Sequence, residues 1–247
     1  MFYEITFSPT GGTKKSADLL SSAWGEKTEI DLMDRKVDFG RVFAEEDICL
    51  VAVPSFAGRV PATATERIQK MQGNGAKAVA VVVYGNRAYE DTLVELEDTL
   101  KESGFQVIGG AAVVAEHSIF REYAKGRPDA EDEIQLKAWS EKLKTKAEAG
   151  GAVSFPGSRP YKPYGAIPMK PKAQTCQNCG KCVAVCPVGA IPQDDPKVTD
   201  AEKCISCMAC VSVCPIGARE VAPAILEGAK KRLQSALEGR KENEIFL

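Results

Sequence analysis

The first part of the chain alternates between short apolar runs and amphipathic stretches. The strand-like runs are residues 2–7, 28–33, 47–53, 76–85 and 105–116. Apolar residues at helical spacing predict helices near 13–24, 61–72, 89–104 and 129–148. The runs at 47–53 and 76–85 are apolar at almost every position, which is typical of strands buried on both faces. Repeated β-α-β order predicts an α/β domain over residues 1–148, with a doubly wound, five-stranded parallel sheet.

This pattern ends at residue 149, and three further segments follow. Residues 149–174 are rich in glycine and proline and have no helical or strand period, so they are interpreted as a linker. We expect it to pack through Phe155, Tyr161 and Tyr164. Residues 175–221 form a cysteine-rich module, and residues 222–247 are predicted to be a helical tail.

Composition and charge narrow the function classes. The chain has 247 residues and a formal net charge of −2, without a long basic run, so nucleic acid is not an expected partner. No apolar run reaches the length of a membrane span, and no charged-then-apolar leader is present. We therefore expect a soluble, cytoplasmic protein.

The cysteines fall into an internal repeat. Of the nine cysteines, only Cys49 lies outside the interval from Cys176 to Cys214. Residues 176–191 and 204–219 align without gaps, and each unit reads C-x2-C-x2-C-x3-C-P followed by a shared Gly-Ala. Two copies of one unit indicate duplication and predict a pseudo-two-fold arrangement.

This spacing predicts two [4Fe-4S] clusters, because each cluster takes four thiolates and the fourth cysteine of a run ligates the partner cluster. One cluster is assigned to Cys176, Cys179, Cys182 and Cys214, and the other to Cys204, Cys207, Cys210 and Cys186. Structural zinc is the alternative, but zinc ribbons use separated cysteine pairs. Cys49 lies in the middle of a predicted strand and is interpreted as a small buried apolar residue.

At these two runs the chain resembles the bacterial two-cluster ferredoxins, which are small α+β domains. The resemblance implies low-potential, one-electron transfer between two neighbouring clusters.

A glycine- and hydroxyl-rich loop, FSPTGGTK, joins the first predicted strand to the first predicted helix. It fits neither the P-loop nor the dinucleotide fingerprint. Ser8, Thr10 and Thr13 offer side-chain donors, and Gly11 and Gly12 expose backbone N–H groups. Such a loop at a helix N-terminus can bind a phosphate monoester. The alternative is an ordinary glycine turn with a hydroxyl cap.

The loop resembles the phosphate-binding loop of flavodoxins, S/T-x-T-G-x-T, and has the same position after the first strand. This resemblance implies a flavodoxin-like fold and flavin mononucleotide (FMN), with two further loops around the flavin ring. The implied ring residues are Pro54, Ser55, Phe56, Ala57, Gly58, Arg59, Tyr84, Gly85, Asn86, Arg87 and Tyr89. Phe56 and Tyr89 would stack on the two faces of the ring, and Gly85 and Asn86 would bond its pyrimidine edge.

The two ring loops differ from those of the acidic flavodoxins, and one further residue is a candidate for the site. Arg59 and Arg87 occupy the ring loops, where cations would favour an anionic reduced flavin, unless both are simply solvated. His117, the only histidine, follows the fifth predicted strand. It is either a donor to flavin or substrate, or a solvated loop residue.

Taken as a whole, the chain resembles ferredoxins with an N-terminal flavodoxin-like domain. That resemblance implies electron transfer between FMN and two [4Fe-4S] clusters, and on to redox partner proteins. Two alternatives stay open. One is an FMN-dependent reductase of a quinone-like acceptor, with His117, Arg59 and Arg87 lining its site, and the other is a redox-sensing module. An electron carrier is favoured over an enzyme.

Overall fold

The computed structural model describes residues 1–165 and 167–247, so one position of the predicted linker, residue 166, lies outside the described residues. The strands are β1 (Phe2–Thr6), β2 (Thr28–Asp31), β3 (Ile48–Pro54), β4 (Lys77–Tyr84), β5 (Gln106–Val114), β6 (Lys172–Ala173), β7 (Arg219–Glu220) and β8 (Glu244–Phe246). The helices are α1 (Gly12–Leu20), α2 (Ala62–Ile68), α3 (Thr92–Glu102), α4 (Ala130–Ala149), α5 (Lys181–Ala184), α6 (Ala209–Ser212) and α7 (Pro223–Leu237).

The main sheet has the order β2-β1-β3-β4-β5-β8. Its first five strands are parallel, and their order 2-1-3-4-5 is that of the flavodoxin-like doubly wound fold. The fold class predicted from the sequence is therefore confirmed. The carboxyl ends of these strands, where such sheets bind ligands, carry the loops that follow β1, β3, β4 and β5.

The sheet is buried on both faces, as the apolar runs predict. On one face α1 and α4 cover Leu50, Ala52 and Val81, and on the other α2 and α3 cover Val51 and Val82. Strand alternation accounts for this division, because successive side chains point to opposite faces.

Cys49 lies on the α2 and α3 face and is fully buried, as expected. Burial raises the pKa of its thiol far above the usual value, so it is a neutral, apolar residue.

The last residues of the chain differ from the prediction. We predicted a helical tail, but after α7 the chain returns to the first domain and adds β8 antiparallel to β5. Asn243 fixes this return: its side-chain oxygen accepts the Val114 N–H at 2.8 Å, and its amide donates to Asp132 and Gln135. A three-residue strand is too short to produce a recognisable pattern in the sequence.

The cysteine-rich region is built from two matched halves. α5 and α6 each carry the third cysteine of a unit, and each begins after a residue in the left-handed conformation, Gly180 (φ 72°) or Met208 (φ 64°). β6 and β7 pair antiparallel at one side. This arrangement is a small α+β fold with the predicted pseudo-two-fold repeat.

Two segments join the domains. The predicted linker lies along α3, where Asp91 accepts the N–H groups of Ser158 and Lys162 at 2.9 and 2.7 Å, and Phe155 reaches the sheet core. α7 packs in an apolar cluster that contains residues of both domains, namely Phe120, Met169, Met208, Val221, Ala229 and Leu237. Within the described ranges, no helix has both the length and the apolar composition that crossing a membrane requires.

Candidate functional site

The loop after β1 exposes a set of backbone donors. Gly11 has a φ of +90°, a conformation that L side chains rarely adopt, and it turns the chain into α1. The Ser8 hydroxyl oxygen accepts the Lys14 N–H at 2.9 Å, which holds the loop against the helix. Among the described residues, no acceptor bonds the N–H groups between Thr10 and Thr13. The first turn of α1 contains no acidic residue that would oppose an anion there.

A cavity of about 440 Å³ opens at this edge of the sheet, a volume within the range of small-molecule sites. The loops after β1, β3, β4 and β5 all contribute to it. The sequence-predicted residues that line it are Thr10, Gly12, Thr13, Pro54, Ser55, Phe56, Ala57, Tyr84, Gly85, Arg87 and His117. We call this space the edge cavity.

Other predicted residues do not line the edge cavity: Ser8, Gly11, Gly58, Arg59, Asn86 and Tyr89. Ser8 and Gly11 shape the loop, and Gly58 lies against the Glu90 side chain. Asn86 and Tyr89 require a correction. The Asn86 amide donates to the Leu237 and Gly239 carbonyls, and the Tyr89 hydroxyl donates to Glu244 at 3.0 Å. Both side chains bind the returning C-terminal segment, which the sequence did not place beside them.

The two arginines of the ring loops are also paired. Arg59 donates from two nitrogens to the Glu95 carboxylate at 2.7 Å, and it lies over the Tyr161 ring, outside the edge cavity. Arg87 lines the cavity but bonds Glu90 at 3.0 and 3.1 Å. Each guanidinium is therefore neutralised by a carboxylate. These ion pairs show that neither arginine is simply solvated. Arg87 lies beside the edge cavity, as the sequence predicts, whereas Arg59 does not line it.

His117 is packed against the chain rather than solvated. Its Nδ1 accepts the N–H groups of Ile119 and Phe120, both at 3.1 Å, so in the neutral ring the hydrogen lies on Nε2. Burial lowers the pKa of His117 to about 4. Gly85 permits this packing, because a Cβ there would lie 2.8 Å from the His117 ring.

The eight clustered cysteines separate into two groups of four around two small cavities. Cys186, Cys204, Cys207 and Cys210 line one, and Cys176, Cys179, Cys182 and Cys214 line the other. The first group shares lining residues with the edge cavity, and we call it the proximal set. The second group shares none with it, and we call it the distal set. The grouping is the one that the sequence predicts, with the fourth cysteine of each unit joining the other unit's three.

Each fourth cysteine also has the same backbone environment. The Ala190 N–H donates to Cys186 Sγ and the Ala218 N–H to Cys214 Sγ, both at 3.2 Å. Burial raises the pKa of Cys207 to about 12 and that of Cys210 to about 11. For Cys214 burial also acts upward, but nearby backbone N–H groups, first that of Arg219, outweigh it and lower the pKa. Four cysteines around each cavity, with an N–H donor to the fourth thiol, would fit an iron–sulfur cluster.

The proximal set adjoins the edge cavity. Cys207 lines both spaces, together with Ile205 and Ser206. Sequence reasoning missed this contact, and it also missed the parts of the linker and α7 that line the edge cavity, including Tyr164 and Leu233. No local pattern carries such information, since it depends on how the two domains dock.

Residues 168–222 match the family described as 4Fe-4S dicluster domain. A flavodoxin from Streptococcus pneumoniae is 20% identical and covers 59% of this chain and 99% of its own, with a TM-score of 0.43. A flavodoxin from the domain Archaea is 14% identical over 60% of this chain and 99% of its own, with a TM-score of 0.41. A search of curated proteins found no match.

The strand order and the family match together describe the chain. Its first domain has the flavodoxin-like strand order, and its cysteine-rich region matches a family that binds iron–sulfur clusters. The chain thus joins a flavodoxin-like domain to a 4Fe-4S dicluster domain, and it is a redox protein with a role in electron transfer.

Proposed function

We propose that this protein relays electrons between an FMN held in the edge cavity and two [4Fe-4S] clusters, and from there to a redox partner protein. One observation carries the proposal: Cys207 lines both the edge cavity and the cavity of the proximal set. A ring bound in the edge cavity would then lie beside a cluster ligand, the arrangement that transfer within one chain requires.

The loop after β1 supports a phosphate monoester in particular. Its unbonded N–H groups and the hydroxyls of Thr10 and Thr13 meet at the N-terminus of α1, where the helix dipole favours an anion. Lys14, the nearest cation in sequence, is engaged by Glu4, Asp18 and Glu29. The loop therefore offers hydrogen bonds without a free positive charge, which suits the phosphate of FMN.

Other residues that line the edge cavity suit an aromatic ring. Phe56 and Tyr84 line it and offer apolar surface for stacking, and His117 lines it with its hydrogen on Nε2. When bound, a flavin supplies exchange of one or two electrons. The protein's part is to hold the ring beside Cys207 and to limit water around it.

The two cysteine sets differ in their distance from the edge cavity and in their exposure. The proximal set adjoins the edge cavity, whereas the distal set includes Cys179, which is exposed. A partner protein would exchange electrons most readily at this exposed end. Tyr164 of the linker and Leu233 of α7 also line the edge cavity. They narrow access to the ring, which favours a relay over a reductase with a diffusing acceptor.

The first test is cofactor content after purification without oxygen. We expect about eight iron atoms and about eight sulfides per chain, with about one FMN at the phosphate loop. Thr13→Val should retain the iron and weaken FMN binding about tenfold, because one charge-assisted hydrogen bond is lost. Thr28→Val, an exposed change on β2, is the matched control and should leave both unchanged. Full iron without FMN, even after FMN is added back, would contradict the proposal.

A kinetic test addresses the relay itself. After photoreduction of the flavin, we expect the cluster absorbance to bleach at a rate that does not depend on protein concentration. A rate proportional to concentration would mean that electrons pass between molecules, and the proposed contact through Cys207 would then be wrong.

A further inference from the structure

The two cysteine units differ in charge at a position that is buried in both. The residue after their shared Gly-Ala is Ile191 in the first unit and Arg219 in the second. Ile191 is 3% exposed and lines the cavity of the proximal set, and Arg219 is 2% exposed and lines the cavity of the distal set. The pseudo-two-fold repeat therefore presents an apolar side chain to one set and a cation to the other.

The guanidinium of Arg219 is held in place by its outer nitrogens. They donate to the Pro196 carbonyl at 3.1 Å, the Val198 carbonyl at 3.0 Å and the Thr199 hydroxyl at 2.6 Å. The inner nitrogen, Nε, is buried and has no hydrogen-bond partner among the described residues. A buried donor without a partner is destabilising, so a native partner for this N–H is expected.

The position of Arg219 points to that partner. Its side chain lines the distal cavity beside Cys182 and Cys214, where a bound cluster would present sulfur atoms. Sulfur accepts N–H hydrogen bonds, and such bonds together with nearby charge help to set the potential of an iron–sulfur cluster.

We propose that Arg219 sets the potential of the distal cluster, by donating its Nε–H to a cluster sulfur and so stabilising the reduced form. This inference rests on the proposed function. One electron leaves the proximal cluster and enters the distal cluster, no proton moves, and the fixed cation offsets the negative charge that arrives. Ile191 has no charge that would stabilise a reduced proximal cluster in this way. An electron that enters from the flavin therefore resides mainly on the distal cluster, at the exposed end.

Other cations lie near the proximal set but differ in kind. Lys170 donates to the Cys204 carbonyl and Arg67 to the Pro187 carbonyl. Both side chains are partly exposed, so water screens their charge, and both of these donors are already bonded to carbonyl oxygens. Arg219 combines full burial with a free N–H.

The test is a redox titration of the full chain, followed by electron paramagnetic resonance. Cys179→Ser, which changes one distal ligand, identifies the distal signal. Arg219→Gln should lower the distal potential by about 59 mV, the equivalent of a tenfold change in its one-electron equilibrium, and should lower the proximal potential less. Ile191→Leu is the control at the equivalent position and should move neither potential.

The alternative is that Arg219 only braces the loop at residues 196–199. Arg219→Lys keeps the charge but loses the Nε–H, so an intermediate distal shift is expected. Equal shifts of both clusters, or no shift with both clusters intact, would overturn the proposal. If Arg219→Gln fails to assemble, ¹⁵N-arginine labelling of the unmodified protein still decides: pulsed measurements must detect nitrogen coupling at the distal cluster, and its absence refutes the bond.

Failure of the proposed function would look different. In that case the unmodified protein would lack one cluster or the flavin, which the cofactor analysis detects before any titration. If both clusters are intact and their potentials do not change in Arg219→Gln, the proposed relay stands and only this inference is wrong.

Discussion

The two domains of this chain are held together by different means. The flavodoxin-like domain has an apolar cluster on each face of its sheet, drawn from strands and helices over its whole length. Besides the apolar residues that it shares with α7, the dicluster domain has a small apolar core of its own, in which Cys182, Cys186 and Cys210 are half of the buried members. Apolar side chains form the core of the first domain, whereas the cysteines that would bind the clusters form much of the core of the second. The first should therefore fold without its cofactor, whereas the second should depend on iron.

Removing iron should give the largest effect. Treatment with an iron chelator under reducing conditions should unfold residues 175–221, because buried thiols without a cluster cannot replace its bonds. Hydrogen exchange should then be nearly unprotected there, while β3 and β4 keep their protection. Adding iron and sulfide back should restore the protection. Equal loss in both domains would contradict the comparison, and so would a dicluster domain that stays protected.

Breaking the return of the C-terminal segment should have the next largest effect. Asn243 is 7% exposed and bonds Val114, Asp132 and Gln135. Asn243→Ala removes these bonds and leaves the buried Val114 N–H without its acceptor, whereas Asp132 keeps its bonds from Arg127. We expect a loss of about 1–3 kcal/mol in the free energy of unfolding of the first domain. Both tryptophans lie in that domain, so denaturant unfolding followed by tryptophan fluorescence measures it.

The matched control for this change is Gln234→Ala. It removes an exposed amide that, within the described residues, bonds only Glu238, at 3.3 Å. It should leave the unfolding midpoint unchanged. If Asn243→Ala behaved in the same way, β8 would be an incidental contact rather than part of the sheet's stability.

Substitutions at two glycines distinguish the effect of backbone strain on stability from an effect on FMN binding. Gly11 and Gly25 have φ values of +90° and +76°, and an added Cβ would meet no atom within 4 Å at either. Gly11→Ala and Gly25→Ala should each cost about 1 kcal/mol of stability, because an L side chain is strained there. Only Gly11→Ala should also weaken FMN binding, measured by fluorescence titration. Equal affinities in the two variants would mean that the loop after β1 is an ordinary turn.

The sequence predicted features that depend on short-range pattern. The apolar runs at 47–53 and 76–85 became the central strands, and the repeated cysteine spacing anticipated how the thiols group around two cavities. What it missed depends on long-range docking. Asn86 and Tyr89 bind a C-terminal segment about 150 residues away, and the pairing of Arg59 with Glu95 requires the fold of α3.

The smallest expected effect concerns His117. Burial lowers its pKa in the folded protein to about 4, below the usual value of about 6.5. Between these values the unfolded chain binds the proton more readily, so stability is lost as the pH falls through this window. From pH 7 to pH 6 the first domain should lose about 0.7 kcal/mol. His117→Gln should remove this part of the pH dependence in denaturant unfolding, because it leaves no titrating ring. An unchanged slope would mean that His117 is protonated in the folded protein as easily as in water, and that its Nδ1 does not accept the N–H groups of Ile119 and Phe120.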